Sequence, residues 1–364
     1  MTRNAVTEPL PPRATYRDIE LYAPDRTPAP IDLSDNTNRW GVPPAALREI
    51  RCASEASASR YPNLYGASLK RALAEYVGVE PSMIVTGCGS DDVLDSAIRA
   101  FAEPGELVAM PDPSFPMIPL FARMNGLECA RVPLDASFRV DGDSMIGLHP
   151  SVIYLCSPNN PTGTTIPRPT VESIIERARG VVIVDEAYVE FGDASIADLV
   201  EQSSHLLVVR TMSKAFGLAG LRVGYAVGAP ALVAEVEKSR GPYKVNAVAE
   251  RAAIAALTED LDWVREHVAI TVANRDALTK ELEAREIDVV PSSSNFVFAP
   301  IANASKIALR MRRSGVAVRA FEGLRATSPA LERSGGSALR ISVGPWPEIA
   351  AALTSFDEAR TQCA

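Results

Sequence analysis

Six short apolar runs, separated by stretches with a helical period, dominate the middle of this chain. They cover residues 83–86, 107–110, 152–155, 181–184, 205–210 and 222–227. A continuous apolar strand has both faces covered, and strands separated by helices pair in parallel. The pattern therefore predicts an α/β fold with a mainly parallel sheet sandwiched by helices. Helices are expected at Ser90–Phe101, near 115–124 and over 170–179. Beyond them a long helical stretch covers 247–283. Strands near 288–290 and 295–298, a helix over 305–314, a strand at 338–343 and a helix at about 348–360 predict a smaller α+β domain. The first 45 residues are rich in Pro, Asp, Asn and Thr and lack a helical period. They read as an extended arm with apolar anchors at Tyr16, Tyr22, Ile31, Leu33 and Trp40. The expected organisation is an arm over 1–45, packing with the small domain or a partner subunit, a large domain over 46–245 and a small domain over 246–364.

Composition narrows the function classes. With 364 residues the chain can bury a sizeable core. A hydrophobic share of 47% and a charged share of 23% are values of a soluble globular protein. The formal net charge of −8 argues against nucleic acid as a partner, so an anionic ligand has to be held by local arginines and backbone N–H groups. No apolar run reaches membrane-spanning length, and residues 1–12 contain no signal-peptide core. The cysteines, Cys52, Cys88, Cys129, Cys156 and Cys363, are odd in number and irregular in spacing, with no CxxC. They read as reduced thiols of a cytoplasmic protein without a zinc site. Three histidines make a His-based metal centre an unsuitable expectation.

Open α/β sheets bind ligands at the carboxyl ends of their strands, and the chemistry-bearing residues fall there. After residues 83–86 comes Gly87-Cys-Gly-Ser-Asp-Asp92, a tight turn opening a helix. Its N–H groups and positive end suit an anion, although Ser90 and Asp91 also suit plain capping. After 152–155 comes Ser157-Pro-Asn-Asn-Pro-Thr-Gly163, where two asparagines suggest an amide placed to donate a hydrogen bond. After 181–184 comes Asp185-Glu-Ala-Tyr188. A carboxylate ending an apolar strand is costly unless paired, and a pyridinium nitrogen would pair it; an N-cap is the other reading. Last comes Ser213-Lys-Ala-Phe-Gly-Leu-Ala-Gly-Leu-Arg222. A desolvated lysine has a lowered pKa and can form a Schiff base with an aldehyde. The hydroxyls and the arginine could hold a phosphate carried by that aldehyde. Pyridoxal 5'-phosphate (PLP) fits both halves.

The order of these motifs, GSD, SPNNPTG, DEAY and SKAFGLAGLR, resembles the fold type I PLP-dependent aminotransferases. Within them the wording is most similar to the histidinol-phosphate aminotransferase-like subfamily, from about residue 30 to 360. The resemblance implies an aspartate aminotransferase-like large domain and the following roles. Lys214 forms the Schiff base and moves the proton. Asp185 keeps the ring nitrogen protonated. Asn160 and Tyr188 hydrogen-bond the ring hydroxyl oxygen, and Phe115 stacks on the ring. Gly89, Ser90 and Asp91 receive the phosphate, with Ser213 and Arg222 as side-chain ligands. Tyr61 reaches the phosphate in a neighbouring subunit, which implies a homodimer with shared sites. Arg340 clamps the substrate α-carboxylate, Arg319 is a second substrate-side arginine, and Tyr22 and Asn160 touch substrate. The implied reaction is ping-pong transfer from an L-amino donor, best guess histidinol phosphate, to a 2-oxo acid such as 2-oxoglutarate. Departures occur in the arm, Leu33-Ser-Asp-Asn-Thr-Asn-Arg-Trp-Gly41, and in the long segment 320–337. They leave open an aromatic or other specialised donor, a decarboxylase acting on a phosphorylated amino acid, and a PLP-sensing regulatory module.

Overall fold

The structure is a computed structural model that describes residues 10–362, apart from 18, 22, 24–26 and 193–194. The arm supplies strand β1 (Ile31–Leu33). The large sheet follows, with β2 (Ile84–Cys88), β3 (Leu107–Asp112), β4 (Glu128–Pro133), β5 (Val152–Cys156), β6 (Val181–Asp185), β7 (Leu206–Thr211) and β8 (Val223–Gly228). Its order is β2-β8-β7-β6-β5-β3-β4. The pairs from β7 to β4 are all parallel, while β8 runs antiparallel to both β7 and β2. A parallel return needs a crossover of a dozen or more residues, usually a helix. Residues 212–222 instead fold back on themselves, with Leu218 N donating to Met212 O and Met212 N to Val223 O. The sheet is mainly parallel, as its apolar runs predict. Strand β4 carries Glu128 and Arg131 and lies at an edge, which is why no continuous apolar run announces it.

Strand residues alternate between faces, and both faces are buried. Ile183 joins Val85, Met110 and Tyr154 against the Ser90–Phe101, Met117–Met124 and Pro230–Arg240 helices. Val182 and Val184 join Ile84, Leu155 and Tyr225 against the Ala67–Val77, Arg168–Arg177 and Ala247–Thr258 helices. With 20–33 cal/mol for each Å² of apolar area removed from water, this two-sided burial is the main stabilising term.

The second sheet contains β1, β9 (Phe296–Pro300), β10 (Val316–Phe321) and β11 (Ala338–Ser342), in the order β1-β10-β11-β9. β1 pairs in parallel with β10, from Ile31↔Val316 to Leu33↔Val318, so the arm completes this sheet. The Ala304–Arg313 and Trp346–Thr361 helices cover it with Ile307, Met311, Ile349, Leu353 and Phe356. Two expectations need correction here. The 247–283 stretch is two helices, Ala247–Thr258 and Leu261–Glu283. The break falls at Glu259 and Asp260, with φ −122° and −119°, and the Asp260 carboxylate accepts from Ala45 N at 2.5 Å. Residues 288–290 are not a strand: they contribute a single bridge, Val290↔Phe298, because Pro291 and three serines end the ladder. Among the described residues no helix is long and apolar enough to cross a membrane.

Candidate active site

The carboxyl ends of β5, β6 and β7 and the turn after β2 face a cavity of about 780 Å³, closed on the other side by β10 and β11. Ser90, Asp91, Phe115, Asn160, Asp185, Tyr188, Ser213, Lys214, Arg222, Arg319 and Arg340 all line it. Residues from four separate motifs and two sheets are therefore brought to one place.

Lys214 is carried by the turn that ends β7. Thr211 Oγ1 accepts from Ser213 N at 3.1 Å and donates to Ser213 Oγ at 2.9 Å, which tightens the turn. The Lys214 ammonium donates to Asp35 O at 3.1 Å and lies 5.8 Å from the centre of the Tyr188 ring. Burial lowers its pKa to about 8; Arg340 adds to the effect and the carboxylates of Asp35 and Asp91 oppose it.

Asp185 ends β6 and is 4% exposed. Its carboxylate accepts from Tyr154 O–H at 2.8 Å and from Ala187 N at 3.1 Å. Burial raises its pKa to about 6 against these two hydrogen bonds. No ion pair reaches Asp185 among the described residues, so its remaining acceptor capacity faces the cavity without a cation. The Tyr188 hydroxyl accepts from Asn36 Nδ2 at 3.1 Å, and burial pushes its phenol well up.

Asn160 differs from its neighbour. Asn159 is spent within the turn, on Ser114 Oγ, Pro113 O and Thr162 Oγ1. Asn160 Oδ1 accepts from Arg340 at 2.6 Å, and its Nδ2 makes no hydrogen bond among the described residues. The second nitrogen of Arg340 donates to Ser34 O at 2.6 Å, and its guanidinium lies 5.4 and 5.8 Å from the Phe296 and Phe321 ring centres. Arg319 stands opposite it in the β10–β11 register.

At the start of the Ser90–Phe101 helix, Gly89 has φ +83°, and a Cβ there would sit 2.3 Å from Arg222 Nη2. Only glycine lets the guanidinium lie over this turn. Arg222 itself is left-handed, φ +55°, with Nη2 3.6 Å from Asp91 Oδ2. Burial raises the Asp91 carboxyl, with Arg222 and Lys214 opposing.

Among the described residues, one sequence candidate, Tyr61, is not brought in. Tyr61 does not line the cavity; it is 84% exposed and stacks on Tyr243, ring centres 4.8 Å apart. Tyr22 lies outside the described residues. Two site residues had no assigned role in the sequence. Asn36, φ +59°, exchanges hydrogen bonds with Ser342 Oγ, accepts from Asn295 Nδ2 and donates to Tyr188. Its signal is an asparagine, a residue tolerant of left-handed backbone, in a polar arm. Tyr154 is the other; its signal is a phenol inside an aliphatic strand.

This donor set suits one kind of ligand: a cationic ring nitrogen at Asp185, a carbonyl at Lys214 and an anion at the glycine turn with Arg222. The sequence matches the aminotransferase class I and II family over residues 28–356. The chain belongs to the class I and II aminotransferases. This aminotransferase is 33% identical, over 321 residues, to the histidinol-phosphate aminotransferase of Thermoanaerobacter pseudethanolicus, which covers 86% of this chain and 91% of that one. It is 35% identical, over 324 residues, to an aromatic amino acid aminotransferase of Corynebacterium glutamicum, covering 86% and 93%. Its fold is similar to the crystal structure of histidinol-phosphate aminotransferase from Sinorhizobium meliloti in complex with pyridoxal-5'-phosphate, with a TM-score of 0.83, 23% identity and coverage of 98% and 96%. The aminotransferase is a PLP-dependent enzyme. Its residues fit that cofactor: glycine at 89 lets the Arg222 guanidinium lie over the helix start, and the Asp185 carboxylate is buried without a cation.

Proposed function

We propose that this aminotransferase moves the amino group of histidinol phosphate to 2-oxoglutarate, as a cytoplasmic homodimer. The observation that carries the reading is the pair Arg319 and Arg340, side by side in register on β10 and β11 and both facing the cavity. Like charges directly opposite on neighbouring strands destabilise a sheet unless something compensates. A phosphate dianion compensates both, and a single α-carboxylate engages the planar fork of Arg340 when the acceptor is bound.

The proposed roles of the remaining residues rest on their positions. Ser90, Asp91, Ser213 and Arg222, over Gly89, hold the cofactor phosphate. Phe115 stacks on the ring, and Asn160 Nδ2 and the Tyr188 hydroxyl bond the ring oxygen. Asp185 holds the ring nitrogen in its protonated form, itself oriented by Tyr154. When bound, PLP supplies an electron sink for the charge left on the donor's α-carbon. Lys214 Nζ, with its pKa near 8, would carry the proton between that carbon and the cofactor's C4', two atoms along. Tyr61 and Tyr22 act across the dimer. The two separate sheets support a cofactor domain over 46–245, a small domain over 246–364 and an arm over 1–45.

Single-turnover spectra of the yellow protein with a panel of donors test this. Bleaching by histidinol phosphate, and its loss in Lys214→Ala, is the expected result. Bleaching by aromatic amino acids with histidinol phosphate inert would remove the proposed donor, and turnover retained in Lys214→Ala would remove the mechanism.

A further inference from the structure

Once the amine and the anion of a donor have been placed, one direction of the cavity has no assigned occupant. A tetrahedral α-carbon carries four groups. The amine faces Lys214, the anionic arm faces Arg319 and Arg340, and the hydrogen leaves. The fourth, the side chain, must lie against the rest of the wall. Much of that wall is the Ala304–Arg313 helix. Its positions 305, 308, 309 and 312 line the cavity, at the i, i+3, i+4, i+7 spacing of one helical face. The opposite face, Ala304, Ile307 and Met311, is buried in the core of the second sheet. The cavity side is mixed, with Ser305 and Arg312 beside Ala308 and one large apolar residue.

That residue is Leu309, 50% accessible although it stands in a concave site. A single apolar residue on a convex surface has no meaning of its own; in a ligand cavity it is area kept for the ligand. Ala308 beside it leaves room, and Phe321, which also lines the cavity, adds an aromatic surface. A flat ring fits such a slot, because rings bury a large area against aliphatic and aromatic neighbours. A ring-less side chain gains less from Leu309, while an acidic one meets Arg312 on the same wall.

We infer that Leu309 is a specificity-determining residue: the ring of the amino donor packs on it, with Ala308 and Phe321 completing the slot. This rests on the placement of the anionic arm at Arg319 and Arg340. Leu309 is not among the residues proposed to hold the cofactor or to move the proton, so it acts on donor binding and leaves the chemical step alone.

The test uses the PLP-loaded enzyme with Leu309→Ala and, as conservative rescue, Leu309→Met. Donors are histidinol phosphate and phenylalanine, which carry a ring, and glutamate and 2-aminobutyl phosphate, which do not. Alanine is a strong helix former and the site is half exposed, so the fold is retained. KM for the ring donors is expected to rise about ten-fold in Leu309→Ala, a transfer-sized effect for part of a leucine side chain. Their kcat and all constants for the ring-less donors stay unchanged, and Leu309→Met restores the wild-type values. A second readout is calorimetric: the Kd of 3-phenylpropionate, a ring acid without an amine, rises by the same factor. Equal effects on ring and ring-less donors, or none on either, overturn the inference. If the wild type takes phenylalanine and ignores histidinol phosphate, the proposed donor falls, while the effect of Leu309→Ala on phenylalanine still decides the role of Leu309.

Discussion

Asp185 and Lys214 are each held in the state that solvent would oppose. A carboxylate is kept from water with two hydrogen bonds and no cation, and an amine is kept where its proton is loosely held. Both arrangements cost stability in the cofactor-free protein. For Asp185 the folded pKa, about 6, lies above its ordinary value of 3.8. The native state therefore binds more protons between those values, and stability falls as pH rises from about 4 to 6. Above that window the whole penalty is present, of order 3 kcal/mol. Cofactor-free Asp185→Asn should melt above cofactor-free wild type at pH 7.5, with the gap closing near pH 4. A gap that does not change with pH would mean that the carboxylate is not ionising in a dry site. Loaded with PLP, the variant should lose the advantage and its turnover together, since the protonated ring nitrogen is the partner that the carboxylate lacks.

One element below the site shows the same conflict without any catalytic use. Thr86, Tyr225 and Arg210 stand side by side across β2, β8 and β7 on the face away from Asp185. Arg210 pairs with buried Glu186 at 2.9 Å, and Ser195 ties both. The short turn Val189–Phe191 then brings a second carboxylate, Glu190, whose two oxygens are buried without a hydrogen bond, as is the Tyr225 hydroxyl. Burial raises the Glu190 pKa to about 7, against the pull of Arg210. The native state again binds the extra proton, so stability falls as pH rises between the ordinary value of 4.5 and about 7. Glu190→Gln should match wild type near pH 4.5 and melt higher at pH 8, by an amount of order 3 kcal/mol. A thermal-shift series from pH 4.5 to 8 checks this; a variant less stable at pH 8 would show that the ionised carboxylate is a net contributor.

At the scale of the whole molecule, residues 34–41 strap the two sheets together across the cavity. Toward the large sheet, Asp35 O accepts from Lys214 and Asn38 Nδ2 donates to Ala215 O at 3.0 Å. Gly217 has φ +65°, and a Cβ there would lie 2.2 Å from Gly41 O. Toward the second sheet, Asn36 meets Ser342 and Asn295, and Arg39 grips Glu348 with two bonds of 2.9 Å. Arg39 is one of the departures from the family wording, and Glu348 lies three hundred residues away in the Trp346–Thr361 helix. Because the pair is about a quarter exposed, solvent screening holds its contribution to about 1 kcal/mol. Arg39→Ala should lower the melting temperature by a few degrees and raise KM for both substrates, since the strap carries Asn36 and Ser34 to Tyr188 and Arg340. Glu348→Ala should do the same and the double variant no more. Additive effects would separate the two residues.

The large sheet was legible because its strands are apolar on both faces, and burial on both sides is a property of four or five consecutive residues. The motifs after β2, β5, β6 and β7 were legible for a related reason: so many polar residues gathered at the ends of such strands exceed what capping and turns need. Strand β4 and β10 were not, since an edge strand and a half-exposed strand lack that signature. The gap at Asp260 hides inside one helical period, and the partner of its carboxylate, Ala45, lies about two hundred residues earlier. Asn36 and Tyr154 belong to the same class: each has its role through a partner on another element. The sequence by itself determined the doubly covered sheet, the identities of the groups at its carboxyl ends and the cofactor they suit. Only the tertiary structure decided that the arm straps both sheets, that Arg319 faces Arg340, and that Leu309 looks into the cavity. Those facts depend on register and on contacts between distant segments, and no local pattern encodes either.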